Sequence, residues 1–396
     1  MSADSSWLRV PLATTILVQA AVFAGRPMTS YRALELGAST TVVGLVAASF
    51  AILPLLMAVP AGRAVDGDRG ATFLRAGALL TLLGALGLAL APSLPLLAVG
   101  NAVAGVGLLL SAIAAQGIIA RRAPTSQHDQ AFGWFTVCAS IGQLIGPLLS
   151  GQAAHGLPGI GGAPQVGLAS AVAVAVVLVG VSCGYRPGRR PGRTSVGTVA
   201  AEPRPGLLTL LRMRGMSPAM LASLSLLTCV DLLTAFLPVL AEERGISPAT
   251  VGWLLALRAL ASIGSRLIVA RLAACFGRRW VMVGSMAVAA VALLFLTSPS
   301  TTSVLVALMI VVGFALGMGQ PLTMSWVAGL VPETSRSTAL AVRLGANRAG
   351  QVVVPAVAGV VAGASGAGGV FVLTAVMLSG AGAGVLLSRP SIAGEE

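Results

Sequence analysis

Apolar residues in this chain do not alternate with polar ones. They run unbroken for about twenty residues at a time, separated by short polar connections. Six runs occupy the first half: Val10 to Leu36, Thr40 to Gly62, Ala71 to Ala91, Pro95 to Ala120, Ala131 to Gly156 and Gln165 to Tyr185. Six more follow a polar stretch: Met216 to Ala241, Ser247 to Leu272, Trp280 to Thr297, Thr302 to Leu330, Ser337 to Gly363 and Gly369 to Ser388. About 20 residues of α-helix cross the ~30 Å of bilayer hydrocarbon, whereas barrel strands alternate over about ten. The pattern therefore predicts an all-α integral membrane protein with twelve transmembrane helices. The first run outlasts the apolar core of a leader peptide, so it is expected to be a retained helix.

Composition agrees with that reading and narrows the chemistry. Of 396 residues, 56% are hydrophobic and only 9% charged, with 49 Gly and a mean hydropathy of +0.93. A soluble surface needs far more charge. All 25 cationic residues are Arg, so a phosphate-binding loop lacks its lysine and a Schiff-base enzyme its nucleophile. His128, His155, Cys138, Cys183, Cys229 and Cys275 never fall at a metal-ligand spacing, and no nucleophile sits with a base, so neither enzyme nor cofactor is expected. The cysteines read as packing residues.

The net charge of +13 would suggest nucleic acid in a soluble protein, but here its distribution points to loop anchoring. Arg9, Arg63, Arg69, Arg75, Arg121, Arg122, Arg271, Arg278, Arg279, Arg336 and Arg389 all belong to even-numbered connections or tails, as do seven Arg between Arg186 and Arg214. The opposite loops hold only Arg32 and Arg244, each near a Glu. Positive loops stay inside, which predicts cytoplasmic termini in the cytoplasmic membrane. Trp7, Trp134, Trp280 and Trp326 then lie at cytoplasmic helix ends and Trp253 at an outer one, as an interfacial belt requires.

Sliding the chain over itself by 208 residues reveals a repeat. Glu35, Gly37, Ser39, Val43 and Gly44 meet Glu243, Gly245, Ser247, Val251 and Gly252. Gly142, Gln143, Pro147 and Gly151 meet Gly350, Gln351, Pro355 and Gly359. Two six-helix bundles, residues 1–185 and 216–396, are thus expected to insert the same way up, joined by a Pro-, Gly- and Arg-rich linker over 186–215. Such parallel repeats enclose a midplane cavity between them.

Six plus six helices with a basic central loop resemble the major facilitator superfamily, and local motifs strengthen the likeness. The loop Gly62-Arg63-Ala64-Val65-Asp66-Gly67-Asp68-Arg69-Gly70 is similar to the family's GxLADRxGRR loop, with Gly62 and Asp66 in place. Its counterpart Ala270-Arg271-Leu272-Ala273-Ala274-Cys275-Phe276-Gly277-Arg278-Arg279 matches better, except that Ala274 stands where the Asp belongs. Gly133, Gly142, Gly146, Pro147 and Gly151 resemble the family's antiporter motif, with Ser150 the single departure. Glycines on one helical face let backbones approach closely, and Pro147 removes an amide donor. The resemblance implies alternating access. It also implies gating roles for Gly62, Asp66, Arg69, Arg75, Arg271, Gly277, Arg278, Arg279 and Arg343, with Arg343 meeting Asp66 or reaching the cytoplasm. The fifth run implies export of substrate in exchange for protons.

Ionisable residues inside a membrane are expensive and mark sites. Here they are Arg26, Asp231, Arg258, Arg266, Arg343 and Arg348. Asp231 is the sole acid well inside, which makes it the proton-carrier candidate. The repeat sets it opposite Phe23, three residues from Arg26, and in the resembled family the first and seventh helices line the cavity. Arg26 and Asp231 are therefore expected to form an ion pair that protonation or substrate breaks, the alternative being a permanent structural salt bridge. The cavity candidates are Arg26, Asn101, Gln116, Asp231, Arg258, Gln320, Asn347 and Arg348. Five cations against one acid favour an anionic or zwitterionic amphiphile. The expected function is proton-coupled efflux of a small amphipathic molecule, a drug or secondary metabolite, by a monomer in the bilayer that binds no nucleic acid. Uptake or facilitated passage of a sugar or organic acid is the alternative. A sensor built on the same fold is expected to add a soluble domain or long tail, which the sequence does not display.

Overall fold

The computed structural model describes residues 6–65, 69–122, 128–156, 163–185, 213, 215–298, 301–331 and 336–388. Every regular element among them is a helix: α1 Ser6–Glu35, α2 Thr40–Val65, α3 Gly70–Leu90, α4 Leu94–Arg122, α5 His128–Gly156, α6 Ala163–Cys183, α7 Met216–Glu243, α8 Pro248–Phe276, α9 Arg278–Thr297, α10 Thr302–Gly329 and α11 Arg336–Leu387. All eleven are long and apolar enough to cross a membrane. Their outward faces carry bare side chains such as Leu83, Val176, Val291, Phe295, Val360 and Val376, each more than half exposed. Hydrocarbon accepts such a surface where water would not.

Twelve runs become eleven elements because the last two merge. α11 is 52 residues long, and a straight helix of that length would span ~78 Å, over twice the hydrocarbon thickness. It breaks at Gly366, where φ 73° and ψ 177° are non-helical and open only to glycine without strain. The residues between the two runs are too few, and too free of Pro, to form a separate loop. The break leaves the Ala367 amide without an intrahelical partner, and it donates to Glu243 Oε1 at 3.0 Å. Glu243 thus caps the last helical segment.

Turn chemistry explains the strongest stretch of the sequence repeat. At the end of α1, Gly37 N–H donates to Leu34 O and Ala38 N–H to Ala33 O; at the end of α7, Gly245 N–H donates to Glu242 O and Ile246 N–H to Ala241 O. Both glycines have positive φ, 78° and 65°. These are Schellman closures. Ser39 and Ser247 then accept from Val42 and Thr250 amides at 3.5 and 3.3 Å, starting α2 and α8. The two lone outer arginines are helix-end caps as well. Arg32 donates to Ala91 O at 3.2 Å beyond α3, and Arg244 to Leu296 O and Thr297 O at 3.1 and 2.8 Å at the end of α9.

Within the first six helices, α1 packs on α4, α5 and α6, and α3 on α4 and α6; within the rest, α7 packs on α10 and α11, and α8 on α10. The two groups meet through α1 with α7, α2 with α11, and α5 with α8. Glycine makes the last two approaches possible. A methyl on Gly44 would sit 2.5 Å from Gly359 Cα and Pro355 O, and one on Gly151 would sit 2.7 Å from Pro248 O and 3.0 Å from Gly252 Cα. Gly44 and Gly151 are the 208-residue counterparts of Gly252 and Gly359, so the sequence offset also relates the two contacts.

Glu243→Ala removes the cap on Ala367 and is expected to cost ~0.5–2 kcal/mol. Its counterpart Glu35 pairs with Arg32 at the surface, so Glu35→Ala is expected to cost no more than ~1 kcal/mol. Thermal unfolding of both variants in detergent reads the difference; equal losses would remove the capping role from Glu243.

Candidate functional site

α1 and α7 cross where the two groups of helices touch, and each brings one charge to the crossing. Arg26 Nη1 donates to Asp231 Oδ1, forming the only ion pair between distant elements among the described residues. Asp231 is 5% exposed. Its other oxygen, Oδ2, accepts from Gln351 Nε2 of α11 at 2.6 Å, and Gln351 Oε1 in turn accepts from Arg348 Nη1 at 2.9 Å. Both carboxylate oxygens are thus engaged, by helices from both groups. Arg26 also lies over two rings, with its guanidinium carbon 4.7 Å from the Phe50 centroid and 5.6 Å from that of Phe23. Each such contact is worth ~0.5–2 kcal/mol where water is excluded.

The other cavity candidates divide. Asn101 ties α4 to α2, donating to Val46 O at 2.7 Å and Ser49 Oγ at 3.3 Å. With Arg26, Phe50 and Thr81 it also lines a cavity of about 10 Å³ inside the first six helices, room for a single water and no substrate. Asn347 accepts from Ser223 Oγ at 3.1 Å, joining α11 to α7. Gln116 and Gln320 are exposed, and Gln320 accepts from Arg266 at 3.3 Å. Arg266 reaches the other way to Ser140 Oγ of α5 at 2.5 Å, bridging the two groups. Arg258 is 2% exposed, with no hydrogen bond or ion pair to any described residue.

The gating candidates are dispersed. Asp66 lies outside the described residues, as does nearly all of the 186–215 linker, and Gly62 is in the last turn of α2. Arg343 is buried and donates to Thr323 Oγ1 of α10 at 3.0 Å. Arg75 donates to Tyr185 O at 3.0 Å beyond α6, and Arg279 to Leu386 O at the end of α11, so both close helix ends within their own group. Arg69, Arg271 and Arg278 are exposed, and Gly277 is the single residue joining α8 to α9.

The fifth-run motif is a packing device in this structure. A side chain on Gly142 would overlap Ile16 O and Gln19, and one on Gly146 would sit 2.5 Å from Ala20 O, so both glycines seat α5 on α1. Gly151 seats α5 on α8, with Pro147 O against Gly252. Gly133 meets nothing within 4 Å.

Among known proteins, the Major Facilitator Superfamily profile matches residues 12–243 and again 219–394. The chain belongs to this superfamily. It is therefore a membrane transporter of small molecules and not an enzyme. Solved structures of similar fold include a bacterial homologue of the human lysosomal transporter Spinster, inward-facing and unoccupied (16% identity, TM-score 0.73, 98% of each chain covered). Others are the nucleoside transporter NupG (15%, 0.77, 97% of this chain and 100% of that one) and a D-xylose–proton symporter (14%, 0.77, 100% of each). At these identities the likeness concerns the fold alone. No curated protein matches the chain in sequence.

Sequence reasoning missed Gln351 and Phe50 as members of the site. Gln351 had a signal, because it is the repeat counterpart of Gln143; Phe50 had none, being one aromatic in an apolar run.

A buried carboxylate left without its guanidinium is destabilising by ~3–5 kcal/mol, whereas losing both partners costs far less than the sum. Arg26→Ala is therefore expected to destabilise strongly and Arg26→Ala/Asp231→Ala to recover part of the loss, read by thermal unfolding in detergent. Additive losses would show that the two charges are not coupled.

Proposed function

We propose that this superfamily member is a proton-coupled secondary transporter of a small amphipathic molecule, with Asp231 as the carboxyl that exchanges the proton. The observation that carries the reading is the Arg26–Asp231 pair at the crossing of α1 and α7. A charge at membrane depth is retained at a price in stability, and this one sits where relative motion of the two groups must disturb it. Protonating Asp231 or drawing Arg26 away releases the link, and the two groups rock about the site. The Gly44–Gly359 and Gly151–Gly252 contacts serve as the outer closure. With α11 crossing twice about Gly366, the chain has twelve crossings in two parallel repeats, residues 1–185 and 216–396, around a central cavity. It acts as a monomer in the cytoplasmic membrane, with both termini on the Arg-rich cytoplasmic side.

Two directions of coupling have support. Efflux of a drug or secondary metabolite in exchange for protons is favoured by the α5 sequence, whose resemblance to the antiporter motif holds at five positions. Uptake together with protons is favoured by the charge count at membrane depth, where Asp231 stands against Arg26, Arg258, Arg266, Arg343 and Arg348. An acid-poor, cation-rich interior repels the lipophilic cations that exchange most readily with protons.

Transport by purified protein in proteoliposomes of known orientation tests the reading, with anionic, zwitterionic and cationic amphiphiles and an imposed proton gradient. Gradient-driven accumulation of at least one probe is expected, reduced at least tenfold by Asp231→Asn. Equilibration indifferent to the proton gradient, or accumulation unchanged by the substitution, would overturn it.

A further inference from the structure

Among the described residues, Arg258 is the one intramembrane cation without a bonded partner. Arg26 has Asp231, Arg348 has Gln351, Arg266 has Ser140 and Gln320, and Arg343 has Thr323. Arg258, 98% buried by its 2% exposure, has no hydrogen bond or ion pair among the described residues, and its Nε is shielded from solvent without an acceptor. Buried guanidinium groups are ordinarily paired, because desolvation without a partner costs several kcal/mol. Asp231 lies within electrostatic reach, but both its oxygens are already bonded.

The repeat shows that packing does not call for a cation here. The counterpart of Arg258, 208 residues earlier, is Phe50. Their backbones do the same work, since Gly105 of α4 packs against Phe50 O and its counterpart Gly313 of α10 against Arg258 O. One half meets this position with a ring over Arg26, and the other with a free guanidinium.

We infer that Arg258 is the recognition site for the anionic group of the transported molecule, a monocarboxylate on an apolar body, and that this anion and the proton on Asp231 bind cooperatively. The inference rests on the proton-coupled reading above and adds the cargo and the sign of coupling. A guanidinium fork meets a carboxylate with two parallel hydrogen bonds, and its planar, weakly hydrated charge tolerates apolar surroundings. The charged and titratable groups around Asp231 are Arg26 of α1, Arg258 of α8, Arg348 of α11 and Cys229 of its own helix, with Arg266 of α8 next to Arg258; α10 has no charged residue and α2 only Arg63, near its far end. A carboxylate arriving at Arg258 puts a second negative charge beside Asp231 and so favours protonation there. By linkage the proton favours the anion equally. Cargo and proton thus load from the same side, which selects uptake over exchange.

The test is binding to purified full-length protein in weakly buffered detergent, using butyrate, octanoate, benzoate and indole-3-acetate, with the amide of each as the uncharged control. At least one acid is expected to raise the unfolding temperature while its amide does not, and to draw protons from solution as it binds. Arg258→Gln and Arg258→Phe, the latter copying Phe50, are expected to fold and to weaken that acid at least tenfold; Arg258→Lys is expected to fall between. Asp231→Asn is expected to keep the acid and lose the proton uptake. Protection by none of the acids, equal protection by the amides, unchanged affinity in the folded Arg258 variants, or proton release on binding would each overturn the inference. Gradient-independent transport of an acid that still needs Arg258 to bind would overturn the cooperativity and the proton-coupled reading, and would leave the anion site standing.

Discussion

Hydrocarbon offers a backbone no hydrogen bonds, and nearly everything in this structure descends from that constraint. Each segment that enters the bilayer must satisfy its own amides and carbonyls, so each becomes a helix. Helix ends are where that self-sufficiency fails, and the chain places its scarce charges there. Arg32 and Arg244 close α3 and α9, Arg75 and Arg279 close α6 and α11, and Glu243 serves the amide exposed by the break at Gly366. Charges that look like a pattern for orientation are also the partners of backbone groups that lipid cannot serve.

The same solvent weakens the usual reason for helices to associate, since lipid tails are as apolar as leucine. Association then depends on close approach and on polar links, and both are visible where the two groups of helices meet. Glycine faces glycine between α2 and α11 and between α5 and α8, while Arg26, Asp231 and Gln351 bind α1, α7 and α11 together. The glycine contacts are apolar and carry no charge to be broken. The polar link is different, because a single proton changes its energy. A transporter that moves its halves needs one contact of each kind, and they occupy different depths of the same interface.

Four glycines and a proline of α5 resemble a signature of transport direction, yet the structural use of the glycines is packing: Gly142 and Gly146 against α1, Gly151 against α8. Carriers of either direction need such seats. In the proposed mechanism, the direction of coupling depends instead on how charges interact at the midplane. There the asymmetry between Phe50 and Arg258, at one position of two related halves, says more than the glycines do.

The sequence by itself determined the helices, because twenty-residue apolar runs have one solution in lipid, and it determined the duplication, because turn residues such as Gly37 and Gly245 recur at a fixed offset. It also brought Arg26 and Asp231 to the same depth, since depth follows from counting along a helix and the offset carried the count across. It did not show that Ser337–Gly363 and Gly369–Ser388 join through a single reversed glycine, because a short stretch without Pro keeps its helical bonding wherever geometry allows. Nor did it show which polar residues converge. Asn101, Gln116 and Gln351 look alike in apolar runs, but Asn101 and Gln351 bond to neighbouring helices while Gln116 is exposed. Only tertiary packing fixes the rotation of one helix against another, and that rotation decided that, among the described residues, Asp231 has two partners and Arg258 none.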